Sequence, residues 1–386
     1  MSPADPQRDT RDLARRLIAC PSVTPSDGGA LDLVSARLSA FGFTCERIDR
    51  GRVRNLWARH GSGAPVVCFA GHVDVVPSGP VEEWTSAPFE PSERDGWLYG
   101  RGAADMKGAI AAMVTAAERF AADYPTHPGT LALLFTSDEE GDAVDGTVAV
   151  VDVLRQRGEV IDACIIGEPT SEIRLGDTIK NGRRGSLSGV LRVRGEQCHI
   201  AYPERGRNPI NEALPALAEL SAIVWDHGDA YFPPTRFQCS NIHAGTGATN
   251  VIPGTLEVQF NFRYSPESPV ERLQAGVVTV LDRYGLDYTL QWTVSGLPFV
   301  TPPGPLVDAL TASVRRVTGV TPSLSTSGGT SDGRFLSAVA RQVVELGPVK
   351  ATIHHIDESI LVADLGPLSA IYQSTAQALL HPGVMR

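Results

Sequence analysis

Short, unbroken apolar runs recur along the chain between segments of helical period, and the runs end in acids and histidine. Residues 66–70, VVCFA, have the length and continuity of a buried strand and pass directly into Gly71-His72-Val73-Asp74. The same happens at 130–136, TLALLFT, before Ser137-Asp138-Glu139-Glu140-Gly141, and at 163–166 before Gly167-Glu168-Pro169. Helical patterns cover 12–19, 29–41, 109–120 and 146–156, with a hairpin pattern reaching residue 57. Repeated strand, polar loop and helix predict an α/β domain whose functional groups gather at strand C-terminal ends.

After about residue 181 the period changes. Residues 186–194 alternate, and so do 256–264, LEVQFNFRY, which put Leu256, Val258, Phe260 and Phe262 on one side. Helices are predicted over 209–223 and 270–284, and a strand over 288–294. A helix at 305–317, a loop at 325–333, a strand at 342–345 and a last helix near 365–380 then resume the first pattern. The expected fold is therefore a discontinuous α/β catalytic domain, 1–181 and 295–386, interrupted by an inserted α+β domain over 182–294. A chain of 386 residues is long enough for two cores.

Charge narrows the partners. Lys and Arg number 34 against 44 Asp and Glu, a formal net charge of −10, so the general attraction that a nucleic-acid backbone or an anionic membrane surface needs is missing. The first 18 residues have charges within every apolar run, and no segment reaches the roughly 18 apolar residues of a membrane span, so a cytoplasmic protein is expected. Six cysteines are scattered without a CxxC pair, which speaks against a zinc ribbon or a disulfide scaffold.

The polar groups at or just after apolar segments are His72, Asp74, Asp105, Glu139, Glu140, Glu168 and His354. Taken singly, each acid reads equally as a surface charge, a helix cap or an ion-pair partner, and His72 as a satisfied buried histidine. Together they are harder to place that way, because carboxylates crowded at the mouth of a core repel one another and are costly to desolvate. Two divalent ions sharing a carboxylate and a water resolve that cost; zinc is preferred, with cobalt or manganese indistinguishable by ligand type. In Glu139-Glu140, adjacent side chains point apart, so one can bind metal while the other faces the water. The Gly-rich stretch 327–333 lacks the Lys-Ser/Thr arrangement of a nucleotide-binding loop.

Three motifs, Gly71-His72-Val73-Asp74-Val75-Val76-Pro77, Gly100-Arg101-Gly102-Ala103-Ala104-Asp105-Met106-Lys107-Gly108 and Ser137-Asp138-Glu139-Glu140-Gly141, resemble those of the dizinc peptidase and deacylase family that includes aminoacylases and acetylornithine deacetylases. The likeness covers nearly the whole chain. Gly167-Glu168-Pro169-Thr170, the stretch 176–186, Ala201-Tyr202-Pro203, Asn208-Pro209, the stretch 250–254, the stretch 328–335 and Thr352-Ile353-His354 bring it nearest to the branch that acts on N-succinyl-diaminopimelate. The resemblance implies that one ion takes His72, Asp105 and Glu168, and the other Asp105, Glu140 and His354. It makes Asp74 the group that holds the His72 ring, and Glu139 the base that activates water and then protonates the leaving amine.

The same resemblance implies a homodimer formed through the inserted domain, which acts as a lid and sends His199 into the partner's site to stabilise the oxyanion. A dicarboxylic acylamino-acid substrate needs fixed cations, for which Lys180, Arg183, Arg184 and Arg263 are the candidates. Lys180 to Gly185 reads alternatively as a solvated turn. Ser186, Tyr202, Asn250, Gly329 and Thr330 are candidates for neutral hydrogen bonds. The sequence departs from the branch at Cys198, where glycine is usual, and at Lys350, where asparagine is usual; Lys350 is a further candidate substrate contact. A related N-acylamino-acid deacylase or dipeptidase would share the metals and differ in the basic pocket, and a metal-free binding protein on this fold would lack hydrolysis.

Overall fold

The computed structural model describes residues 6–381. Its chain forms two compact units: one holds the chain up to Gly182, Val300–Ser325 and the chain from Ser331 onward, the other Arg183–Phe299 and Thr326–Thr330.

In the first unit an eight-stranded sheet runs in the order Thr44–Arg47, Asn55–Ser62, Gly129–Thr136, Val66–His72, Ala163–Ile166, Val343–Glu345, Thr178–Lys180, Ser323–Ser325. The four middle strands, from Gly129–Thr136 to Val343–Glu345, are parallel to one another. Burial on both faces explains their continuous apolar sequences: every residue of Gly129–Thr136 and of Ala163–Ile166 is buried. The helix Gly108–Asp123 is also buried nearly all round, which its alanines allow, and it packs on Val362–Leu380 and Pro6–Ile18. All four parallel strands end on the same side, so the polar residues that follow them share one rim.

The second unit is a four-stranded antiparallel sheet, Arg236–Ala244, Thr255–Tyr264, Gly185–Arg194, Tyr288–Gly296, with the helices Pro209–Ala222 and Val270–Arg283. Leu256, Val258, Phe260, Phe262 and Tyr264 are buried in its separate core, as the alternation requires. Asn208 caps the first helix by accepting from the N–H groups of Ile210 and Asn211.

Three expectations change. The insertion ends at Phe299 rather than 294, because the ladder of Tyr288–Gly296 continues past the visible alternation until Gly296 stands opposite Ser186. Residues 326–330, expected in the catalytic part, group with the second unit through Thr326 Oγ1 donating to Tyr231 O (2.6 Å) and Arg183 Nη1 donating to Ser327 O (3.3 Å). The strand Arg236–Ala244 gave no signal: it is an edge strand whose residues are mostly exposed, so nothing selects alternation there.

Candidate metal centre

His72 is the last residue of Val66–His72 and is 1% exposed. Its Nδ1–H donates to the main-chain carbonyl of Asp74 at 2.9 Å, with Asp74 Oδ1 at 3.7 Å, which leaves Nε2 as the nitrogen facing the site. Nε2 lies 3.2 Å from Asp105 Oδ1 and 3.8 Å from Glu168 Oε1. On the other side of Asp105, Oδ2 is 3.5 Å from His354 Nε2, itself 3.0 Å from Glu140 Oε1. His72, Asp105 and Glu168 present ligand atoms within 4.8 Å of one another, and so do Asp105, Glu140 and His354, the two triads sharing Asp105. The set His72, Glu139 and Glu140 meets the same limit.

Local structure aims these groups. The Asp74 carboxylate accepts from the N–H groups of Glu139 and Glu140 at 3.3 and 3.1 Å, so it orients the turn that carries both acids. His354 has φ +61°, a left-handed conformation uncommon outside glycine, though histidine is among the residues that tolerate it best. A Cβ on Gly71 would sit 2.2 Å from Met106 Cε, so the methionine would have to shift to make room, and the close approach brings the strand end against the segment carrying Asp105.

The electrostatics describe a site crowded with negative charge. Burial pushes the Glu168 carboxyl well up, and the charges of Asp105 and Glu139 push it further. Glu139 is pushed up to about 8, by burial first and then, against the pull of His72, by Asp332, Glu140 and Asp105. Burial lowers the His72 pKa, but the hydrogen bond to Asp105 and the surrounding carboxylates reverse that and leave it well above its ordinary value. His354 rises to about 10 through its hydrogen bonds to Asp105 and Glu140. Protons are thus held where cations would sit.

Glu168 Oε1 is buried without a hydrogen-bond partner, a costly arrangement that a metal ligand explains. Imidazole and carboxylate donors in two triads joined by one carboxylate fit a pair of divalent ions.

Sequence reasoning overlooked several supports. Asp138 accepts from the N–H groups of Ala143, Val144 and Asp145 at 3.0–3.2 Å and shapes the loop after Glu140. Asp332 is buried beside this cluster, and burial lifts it to about 6. Glu345 is buried and accepts from Ser331 Oγ at 2.5 Å, and Glu358 is paired with Arg101 in the interior. Their motifs held nothing to set these acids apart from surface ones.

The sequence matches the model of peptidase family M20/M25/M40 over residues 68–378. The chain belongs to this family. It is 58% identical over 371 residues to the succinyl-diaminopimelate desuccinylase of Dechloromonas aromatica, covering 96% of this chain and 98% of that protein. It is 60% identical to the desuccinylase of Aromatoleum aromaticum, covering 96% of each. Among solved structures, the aminopeptidase PepT of Bacillus cereus shares the fold with a TM-score of 0.76 at 21% identity, over 96% of this chain and 99% of that one.

The other candidate residues fall in two groups. In the first unit, Lys180 is buried and donates to Ser325 Oγ (3.2 Å), whereas Lys350 is held by Glu172 at 2.7 Å in a partly exposed pair. In the second unit lie Arg183, Arg184, Ser186, His199, Tyr202, Asn250, Arg263, Gly329 and Thr330. Ser186 accepts from Asn261 Nδ2 (3.0 Å) and stands opposite Arg263 in the ladder. Arg184 Nε is buried with no hydrogen-bond partner, and the guanidinium is disfavoured by burial and by the charges of Arg263 and Arg236. Three arginines crowded in this way suit an anion. His199 is exposed on the short strand Cys198–His199, where Nδ1 accepts from Ala201 N–H (3.1 Å).

Proposed function

We propose that this protein hydrolyses N-succinyl-LL-2,6-diaminopimelate to succinate and LL-2,6-diaminopimelate, a step of lysine and diaminopimelate biosynthesis. The observation that carries the reading is identity of 58–60% across 96% of the chain to proteins bearing the desuccinylase name, joined to two triads sharing Asp105.

In this reading His72, Asp105 and Glu168 hold one ion, and Asp105, Glu140 and His354 the other, with zinc preferred and cobalt an alternative. When bound, the pair acidifies a shared water and polarises the scissile carbonyl. Glu139 accepts one proton of the attacking water and delivers it to the amide nitrogen, so that the C–N bond breaks to give a carboxylic acid and a neutral amine; transfer of the acid's proton to the amine leaves succinate and an ammonium. Glu139, held up to about 8 without metal, would be drawn down by bound cations and so could act as a base.

The inserted unit is proposed to close as a lid and to dimerise, with His199 from the second copy donating to the oxyanion. The exposed edge strand Arg236–Ala244, with Ile242 56% exposed, supports a self-associating surface. Arg183, Arg184, Arg263 and Lys180 are assigned to the substrate carboxylates, and Ser186, Tyr202, Asn250, Gly329 and Thr330 to neutral hydrogen bonds. Lys350, tied to Glu172, is left a minor part. No helix among the described residues is long and apolar enough to cross a membrane; a cytoplasmic setting is part of the proposal and accords with six free cysteines.

The deciding measurement is kcat/KM for N-succinyl-LL-diaminopimelate beside N-acetylornithine, simple acylamino acids and dipeptides. A preference for the succinyl substrate is expected, and a clear preference for any of the others overturns the assignment.

A further inference from the structure

Glu358 is a fully buried acid in a part of the sequence with no assigned role, and its carboxylate is surrounded by donors. Oε2 accepts from Arg101 Nη1 at 2.9 Å and from Gly102 N–H at 2.8 Å. Oε1 accepts from the N–H groups of Ala104 and Asp105, both at 2.9 Å. Three main-chain N–H groups from one turn therefore converge on a side chain more than 250 positions away, and Asp105, the residue common to both triads, is one of the three.

The contacts extend to the neighbouring loops. Arg101, 2% exposed, also donates to His355 O (3.0 Å) and reaches Pro77 O and Ser78 O at 3.4 and 3.3 Å. Glu358 lies four residues beyond His354, on a loop closed by Thr352 Oγ1 donating to Ser359 O (2.8 Å). One buried carboxylate thus sits where the loop bearing His354 meets the turn bearing Asp105, and its oxygens are satisfied by four donors in the protein interior, where a mismatch is costly.

We infer that Glu358 is a positioning residue for the metal centre: by fixing the peptide of Asp105 against the His354 loop, it sets that carboxylate where both ions can share it. This rests on the two-ion reading above. A glutamine at 358 cannot substitute, because its NH2 must face either Arg101 and Gly102 or Ala104 and Asp105, donors in both cases. Aspartate keeps the charge but falls a methylene short.

The test is titration of metal-free protein with Co(II), following heat and the magnetic coupling between paired ions, for wild type, Glu358→Gln, Glu358→Asp and Arg101→Lys. Wild type is expected to take two coupled ions. In Glu358→Gln the weaker ion should bind 10- to 100-fold less tightly and the coupling should vanish, the range usual for groups that orient metal ligands. Saturating metal should leave KM within about twofold while kcat falls at least tenfold, with Glu358→Asp intermediate. Arg101→Lys leaves the three N–H bonds in place, so it should lower Tm yet keep both coupled ions.

Folded Glu358→Gln binding two coupled ions with wild-type affinity overturns the proposal. If that variant does not fold, wild-type binding by Glu358→Asp overturns it equally, as does loss of the second ion in Arg101→Lys at a matched loss of Tm. A wild-type chain that takes fewer than two ions sinks the two-ion reading itself, and this inference with it.

Discussion

Glu139→Gln should stabilise the metal-free protein while disabling the enzyme, and the gain should depend on pH. The folded chain holds the Glu139 proton up to about pH 8, against an ordinary carboxyl value of 4.5. Between those values the native state binds more protons than the unfolded one, so stability falls as pH rises through the window; it is unaffected below 4.5 and fully reduced above 8. At about 1.4 kcal/mol per pH unit the full cost is capped at about 5 kcal/mol, and at about 3 kcal/mol at pH 7. Asp332, Glu140 and Asp105 share responsibility and can take up protons themselves, so a gain of about half the ceiling is the working expectation. Glutamine has nearly the same shape and carries no charge, so it removes the cost without opening a cavity.

Thermal unfolding of chelator-treated wild type and variant at pH 5, 7 and 9 measures this. The curves should nearly coincide at pH 5, and the variant should unfold several degrees higher at pH 9. With two divalent ions bound the difference should shrink, because cations offset the charge that glutamine removes. Turnover of the loaded variant should fall by about 10²- to 10⁴-fold with both ions retained, the span usual for loss of a general base. Equal unfolding temperatures at pH 5 and 9, or a variant less stable at pH 9, would show that Glu139 does not carry an unfavourable buried charge.

Dialysis against a chelator should abolish hydrolysis, and two equivalents of zinc or cobalt should restore it with proton release near neutral pH, because Glu168 and His72 hold protons in the metal-free site; restoration by a single equivalent would contradict a shared centre. Gly71→Ala places a Cβ 2.2 Å from Met106 Cε and should cost about 1–3 kcal/mol in unfolding experiments, part of it recovered in the double variant with Met106→Ala. Lys350→Ala breaks a partly exposed pair with Glu172 and should change stability by less than about 1 kcal/mol and kcat/KM by less than about threefold; a larger loss of kcat/KM would give Lys350 a direct part in substrate binding.

The elements that carry the candidate ligands were legible because two demands coincide in them. A strand buried on both faces must be continuously apolar, so Val66–His72, Gly129–Thr136 and Ala163–Ile166 announce themselves, and the first polar residues after each are the ones delivered to the rim. The same reasoning placed the cores of the inserted unit, where Thr255–Tyr264 alternates because only one face is covered. Arg236–Ala244 was invisible for the converse reason: an exposed edge imposes neither pattern. Residues 326–330 were misplaced because what holds them, Tyr231 O and Arg183, lies 95 and 144 positions away in the chain.

The supports of the site show where a linear reading stops. Asp74 stands beside His72 in sequence, and its carbonyl indeed receives the ring N–H, but its carboxylate is occupied with the N–H groups of Glu139 and Glu140, 65 and 66 positions on. Glu358 serves the turn around Asp105 in the same manner across a still longer separation. In both cases a buried acid is satisfied by main-chain donors, and those donors have no side-chain identity for a motif to record. Candidate metal ligands must be particular residue types, so their chemistry is written in the sequence; the groups that aim them need only find N–H groups in the fold. Substitutions at such acids should therefore alter metal binding without touching any ligand, which separates them from residues that merely fill space.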